Sequence, residues 1–200
     1  MDETKQTKQT QPWSEKYRPS KLEDIADQQH VVQALRKQII STNLPHLILW
    51  GPAGTGKTST IRAFTLDLYG AELVASRVLE LNASHECGID VIRKKVKRFA
   101  QVAVDAGQKP PYKLIILDEA DSLTPDAQSA LRRTMEQYSK VTRFVIICNY
   151  VSKIIEPIAS RCAKFRYKPL TSDVALARLQ GRTRSNNTGS GRNCPKDQQW

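Results

Sequence analysis

Gly51-Pro52-Ala53-Gly54-Thr55-Gly56-Lys57-Thr58 follows the apolar run Leu47–Trp50 and precedes a helical pattern from Ser59 to Tyr69. A strand, a glycine-rich turn and a helix in that order give the G-x-x-x-x-G-K-T pattern the context it needs. Its glycines let the backbone curl so that successive N–H groups point at phosphate oxygens. The positive end of the following helix adds to that field. The eight residues of the turn, with Ser59, are therefore the candidate phosphate-binding set. Lys57 has the reach for β- and γ-phosphates, and the Thr58 hydroxyl can ligate Mg²⁺.

Downstream, Leu114-Ile115-Ile116-Leu117 runs into the carboxylates Asp118 and Glu119. Acidic pairs at strand ends are common in loops. Behind a phosphate-binding turn the pair takes on a specific meaning. Asp118 would hold Mg²⁺ directly or through water, and Glu119 could orient and deprotonate an attacking water. Together the two stretches point to ATP hydrolysis rather than nucleotide storage. Two lone residues are ambiguous by themselves. Asn149 ends an apolar strand, where an Asn is usually a turn residue. Arg161, in Ser160-Arg161-Cys162, is ordinarily a solvated or salt-bridged side chain.

Five apolar runs read as buried strands: His46–Trp50, Arg77–Asn82, Lys113–Leu117, Arg143–Asn149 and Ala163–Tyr167. Helical spacing appears over Ile89–Val104, with Ile92, Val96, Phe99 and Ala103 on one side. It appears again over Pro125–Tyr138, with Ala127, Ala130, Leu131, Thr134 and Tyr138 on one side. Thr124 offers an N-cap there, and Pro125 suits the first helical position. Such alternation predicts an α/β fold with a parallel sheet covered on both faces. Residues 1–11 are polar and read as disordered. Residues 12–170 read as the folded domain, and 181–200 as a polar tail with almost nothing apolar to bury.

The 200 residues, 40% of them hydrophobic, suit one domain with a real core. Lys+Arg 31 against Asp+Glu 20 gives a net charge of +11, which favours an anionic partner such as nucleic acid. The four cysteines, Cys87, Cys148, Cys162 and Cys194, form no C-x-x-C pair and have no His at zinc-ligand spacing. They read as reduced thiols. No apolar run approaches the roughly 18 residues of a membrane span, and the N-terminus lacks a secretory apolar segment. The expectation is a soluble protein of the cytoplasm or nucleus, without a membrane partner.

Several stretches in order resemble the AAA+ clamp-loader family, specifically the small subunits of replication factor C. They are Pro12-Trp13-Ser14-Glu15-Lys16-Tyr17-Arg18-Pro19, the phosphate-binding turn, Val78-Leu79-Glu80-Leu81-Asn82-Ala83-Ser84, and Ile116-Leu117-Asp118-Glu119-Ala120-Asp121. Further on come Ala130-Leu131-Arg132-Arg133-Thr134-Met135-Glu136, Cys148-Asn149-Tyr150, and Ile154-Ile155-Glu156-Pro157 leading to Ser160-Arg161-Cys162. The wording of the last third is most like the subunit numbered four.

The resemblance implies a sheet of order 5-1-4-3-2 with ATP at the C-terminal ends of the strands. It implies that Asn149 is sensor 1, touching the γ-phosphate or the attacking water. It implies that Arg161 is an arginine finger acting on a neighbouring subunit's ATP. Tyr17 and Arg18 would pack against adenine and ribose. The helix carrying Arg93, Lys94, Lys95, Lys97 and Arg98 would follow DNA phosphates, although by itself such a helix is more often a solvated face. Arg132 and Arg133 would serve either assembly or DNA contact. The implied cofactors are ATP and Mg²⁺. The implied partners are the other subunits of a hetero-pentamer, the sliding clamp and primer–template DNA, in the nucleus.

Two departures stand out. The family usually has Asn-Ala-Ser-Asp-Asp/Glu-Arg-Gly where this chain reads Asn82-Ala83-Ser84-His85-Glu86-Cys87-Gly88, which removes one candidate phosphate contact. The family also continues into a helical lid and a collar. Here residues 171–180 begin a lid, and 181–200 resemble nothing in the family. A truncated, non-catalytic isoform that binds nucleotide or partners is thus the competing expectation. Another AAA+ motor, such as a Holliday-junction helicase or a replication-initiation ATPase, would share the turn and the acidic pair but not 15–19 or 160–162.

Overall fold

The computed structural model describes residues 18–25, 27–41, 43–84, 89–102, 110–173 and 176. The chain divides into a unit over residues 19–169 and a second drawn from 1–18 and 170–200. The expected disordered ends, the lid segment beyond residue 176, Tyr17, His85, Cys87 and Cys194 lie outside the described residues.

The larger unit begins with helix α1 (Gln29–Ser41), then β1 (His46–Trp50) and α2 (Lys57–Arg77), which is kinked at Gly70. Next come β2 (Val78–Asn82), α3 (Ile89–Gln101) and β3 (Lys113–Asp118). The chain continues through α4 (Pro125–Tyr138), β4 (Thr142–Cys148), the four-residue α5 (Glu156–Ala159) and β5 (Cys162–Arg166). The strands form one five-stranded sheet of order β2-β3-β4-β1-β5, in which every pairing is parallel. This is the doubly covered sheet that the sequence led us to expect.

Both faces of the central strands are buried, so their sequences read as unbroken apolar runs rather than alternating ones. Leu47 and Leu49, Leu114 and Ile116, and Val145 and Ile147 pack on one side with Val31, Leu35, Ile61 and Phe64. Ile48, Ile115, Leu117, Phe144 and Ile146 pack on the other with Val96, Leu131, Met135 and Ile158. The period of two sends neighbouring residues to opposite layers.

Several expected boundaries move. Arg77 closes α2 rather than opening β2, and α3 ends at Gln101, before Val104. β4 starts one residue earlier and stops at Cys148, leaving Asn149 just beyond it. β5 likewise shifts back by one residue, because Cys162 pairs with His46 at the start of the register. Helix α4 has the expected ends, with the Thr124 side chain accepting from the Ala127 N–H at 3.3 Å. Its buried stripe is not the expected one. Ala127, Gln128, Leu131 and Met135 face inward, while Ala130, Thr134 and Tyr138 are half-buried.

Gln128 is polar and 3% exposed. Its Nε2 donates to the carbonyls of Leu123 at 3.1 Å and Lys153 at 3.0 Å, and its Oε1 accepts from the Ile155 N–H at 2.8 Å. One amide therefore ties the loop after β3 to the loop after β4. Those two loops carry Glu119 and Asn149, so the tie links the rims of the candidate site. Gln28, fully buried, does similar work for β5, exchanging hydrogen bonds with both the carbonyl and the N–H of Lys168.

His46 opens β1 with its ring edge-on to Phe144 and its Nδ1 accepting from the Phe144 N–H at 3.1 Å. Burial, helped by the nearby Arg143 charge, pushes its pKa down from 6.5 to about 4. The native chain thus refuses a proton that the unfolded chain accepts. Stability should fall as pH drops from about 6.5 towards 4, and this group should add nothing further below that. Urea midpoints measured between pH 7 and 5 should fall more steeply in the wild type than in His46→Gln.

Candidate functional site

The turn between β1 and α2 is shaped by what it must avoid. Gly51 has φ +148°, and a Cβ there would meet the Tyr167 carbonyl oxygen at 2.5 Å. The close approach follows from the Tyr167 N–H donating to the Trp50 carbonyl at 2.8 Å, which draws the end of β5 against the start of the turn. Gly56, at the N-cap of α2, has φ 89°, a left-handed conformation open to glycine at little cost. Gly51→Ala should destabilise the fold by about 3 kcal/mol, combining backbone strain with an overlap that only backbone movement relieves. Urea denaturation checks this, and a change under 1 kcal/mol, about the least such strain costs, would contradict it.

Lys57 lies at the floor of the turn, 8% exposed. Its three N–H donors are fully used. They reach the carbonyls of Gly51 and Pro52 at 2.8 Å each, and Asn149 Oδ1 at 3.0 Å. Burial lowers its pKa, while the Asp118 charge works in the opposite direction. Asn149 is brought here because β4 lies between β1 and β3 in the sheet.

The Thr58 hydroxyl donates to Asp118 Oδ2 at 2.8 Å, and Asp118 Oδ1 accepts from the Glu119 N–H at 2.9 Å. Glu119 itself has φ 53°, one of two non-glycine residues described with positive φ. That conformation is uncommon outside glycine and costs of order 1 kcal/mol or more, so the surrounding structure must hold it. The Glu119 carbonyl does part of this, accepting from the Ser122 N–H at 3.0 Å and hydroxyl at 2.8 Å.

These side chains surround one cavity of about 180 Å³. Ala53, Gly54, Lys57, Thr58, Asp118, Glu119, Ile147, Cys148 and Asn149 line it. Thr55 is buried beneath, its hydroxyl donating to the Pro52 carbonyl at 2.9 Å, and braces the turn. Sequence reasoning passed over Cys148 as a wall residue. Burial pushes its thiol up to about 12, so it stays protonated and inert.

The donor set suits Mg²⁺. Thr58 and Asp118 offer hard oxygens 2.8 Å apart. An octahedron with metal–oxygen bonds of 2.0–2.1 Å has edges of about 2.9 Å. No group of three or more His, Cys, Asp or Glu able to hold a metal occurs among the described residues. Two protein oxygens alone do not bind Mg²⁺ tightly, and such sites are completed by phosphate oxygens and water.

Arg161 is elsewhere. Its side chain is 44% exposed, its guanidinium is paired with Glu136 at 2.8 Å, and it does not line the cavity. Arg18 is half-buried and belongs to the terminal unit. On α3, Lys94, Lys97 and Arg98 are exposed, and the Arg93 side chain lies outside the described set. The structure separates the two arginines that the sequence left together. Arg133 lines a groove of about 380 Å³ with Lys97, Ser129 and Thr134, between α3 and α4. Arg132 instead lies 3.7 Å from Glu136.

Among the described residues, no helix is long and apolar enough to cross a membrane. Residues 47–170 match the family model for the ATPase family associated with various cellular activities, AAA, and residues 5–76 match the Rad17 P-loop domain. The chain is 58% identical over 178 residues to replication factor C subunit 2 of Saccharomyces cerevisiae, covering 85% of this chain and 50% of that protein. It is 56% identical over 173 residues to replication factor C subunit 4 of Homo sapiens, covering 84% and 48%. The chain thus spans about half the length of these relatives, and it is similar to subunits carrying either number. Among solved structures, the Thermotoga maritima RuvB Holliday junction branch migration motor superposes with a TM-score of 0.67 at 15% identity, covering 85% of this chain and 55% of that one. The Aeropyrum pernix Orc1 protein, solved in complex with DNA, superposes with a TM-score of 0.64 at 20% identity, covering 84% and 51%. At such identities the likeness concerns the fold alone.

Proposed function

The chain belongs to the AAA family of ATPases, and from that premise we propose that it binds and hydrolyses ATP as a small subunit of a replication factor C clamp loader. The observation that carries the reading is the single cavity in which the 51–58 turn meets Asp118, Glu119 and Asn149. The similarity to replication factor C subunits supports the choice among AAA functions.

On ATP entry, Lys57 exchanges the carbonyls of its own turn for phosphate oxygens, and the α2 N-terminus adds its partial positive charge. Thr58 and Asp118 would hold Mg²⁺, which would supply neutralisation of phosphate charge there. Glu119 accepts a proton from the water that attacks the γ-phosphorus, and the bond to the β-phosphate oxygen breaks to leave ADP and phosphate. Asn149, released from Lys57, keeps an amide near the γ-phosphate or the water. Arg161 serves a neighbouring subunit's ATP, since its own cavity lacks it.

In the same reading, Arg93, Lys94, Lys97 and Arg98, joined by Arg133 across the groove, follow the phosphates of primer–template DNA. Such contacts are independent of sequence and sensitive to salt. The partners are the other subunits of the hetero-pentamer and the sliding clamp, and the location is the nucleus. The test is clamp loading and ATP turnover by an assembly rebuilt with this chain. Incorporation with DNA-stimulated turnover is expected. A chain that binds ATP yet neither assembles nor turns it over would favour the non-catalytic isoform.

A further inference from the structure

We propose that Glu136 is a positioning residue for Arg161, holding its guanidinium on the rim of the chain for an anion carried by a neighbour. The inference rests on the finger role given to Arg161 above and deepens it.

Arg161 is anchored from two elements. Its Nη1 donates to the Pro157 carbonyl at 2.5 Å, within α5, and its Nη2 lies 2.8 Å from Glu136 Oε1, in the last turn of α4. A guanidinium is a rigid plane with five N–H donors. Two anchors on different elements restrict that plane. The side chain stays 44% exposed, so an incoming group can reach it.

The charge balance suits a shared rather than a sealed pair. Glu136 Oε1 also lies 3.7 Å from Arg132 Nε, so one carboxylate faces two guanidiniums. The triad keeps one surplus positive charge, which attracts an anion. Exposed ion pairs are weak, so Glu136 yields or shares the guanidinium easily when a triphosphate arrives. What it supplies is alignment. A long, unanchored Arg loses much rotamer freedom on engaging, and a reacting group misplaced by about 1 Å can cost on the order of 10²-fold in rate.

The test uses the assembly of this chain with replication factor C partner subunits, reading ATP turnover at the site Arg161 faces while the other sites are silenced. Arg161→Ala sets the floor. Glu136→Ala is expected to lower kcat about 10-fold with KM for ATP unchanged. Glu136→Gln, which keeps a hydrogen-bond acceptor at the same reach, is expected to recover most of that loss. The double variant Glu136→Ala/Arg161→Ala should match Arg161→Ala alone. If Arg161→Ala leaves kcat unchanged, or the chain does not enter the assembly, the finger role fails and this inference with it. If Arg161→Ala collapses kcat while Glu136→Ala does not, the positioning role alone is overturned. Independent, additive losses would overturn it too.

Discussion

Replacing Lys57 with Ala should raise the dissociation constant for Mg·ATP about 10²-fold while leaving the fold intact. Lys57 is 8% exposed, and its ammonium donates to Gly51, Pro52 and Asn149. Hydrogen bonds to charged groups are worth about 1.5–3 kcal/mol each. The nucleotide does not gain two of them outright, because Lys57 exchanges existing bonds for new ones. A net loss of about 3 kcal/mol on removing the charge is therefore the reasonable middle, and it corresponds to about two decades. Removing the lysine also removes the desolvation cost of its buried charge, which offsets the bonds lost at Gly51, Pro52 and Asn149, so the melting temperature should move little. Isothermal titration at fixed salt checks the affinity. A change under about threefold, less than half of one such bond, would mean that the triphosphate does not lie in this turn.

Glu119→Gln should have the opposite signature, with nucleotide affinity kept and kcat lowered by about 10²–10⁴. The amide has the shape of the carboxylate but cannot take a proton at neutral pH. The left-handed backbone at this position, φ 53°, is the same for both residues, so the substitution leaves the geometry of the loop alone. Binding through the turn and Thr58 does not involve the Glu119 carboxylate. Single-turnover measurements in the assembly separate the two quantities. Near-normal turnover in this variant would remove Glu119 from the chemistry and direct attention to another base.

The sheet and its phosphate turn were legible because their causes are local. Strands buried on both faces become apolar runs, and the glycines of the turn sit where φ is positive or where Tyr167 approaches too closely for a Cβ. Strand ends were off by a residue because register depends on the neighbouring strand. Asn149 and Arg161 carried no local signal and stood on family resemblance. Gln128 and Glu136 were invisible for a different reason. A polar residue on a helix reads as solvent-facing, and only the tertiary fold reveals that Gln128 spans two loops and that Glu136 meets an arginine 25 positions later. The stripe on α4 was misjudged because Tyr138 tolerates a half-buried place at the helix end while Met135 fills the interior.

The most direct measurement is a crystal structure of the chain with Mg²⁺ and a non-hydrolysable ATP analogue. The β- and γ-phosphates are expected inside the 51–58 turn. The metal is expected about 2.1 Å from the Thr58 hydroxyl, with the Asp118 carboxylate bound to it or one water away. A triphosphate seated elsewhere, or a metal with Asp118 and Glu119 on the far side from it, would contradict the shared site.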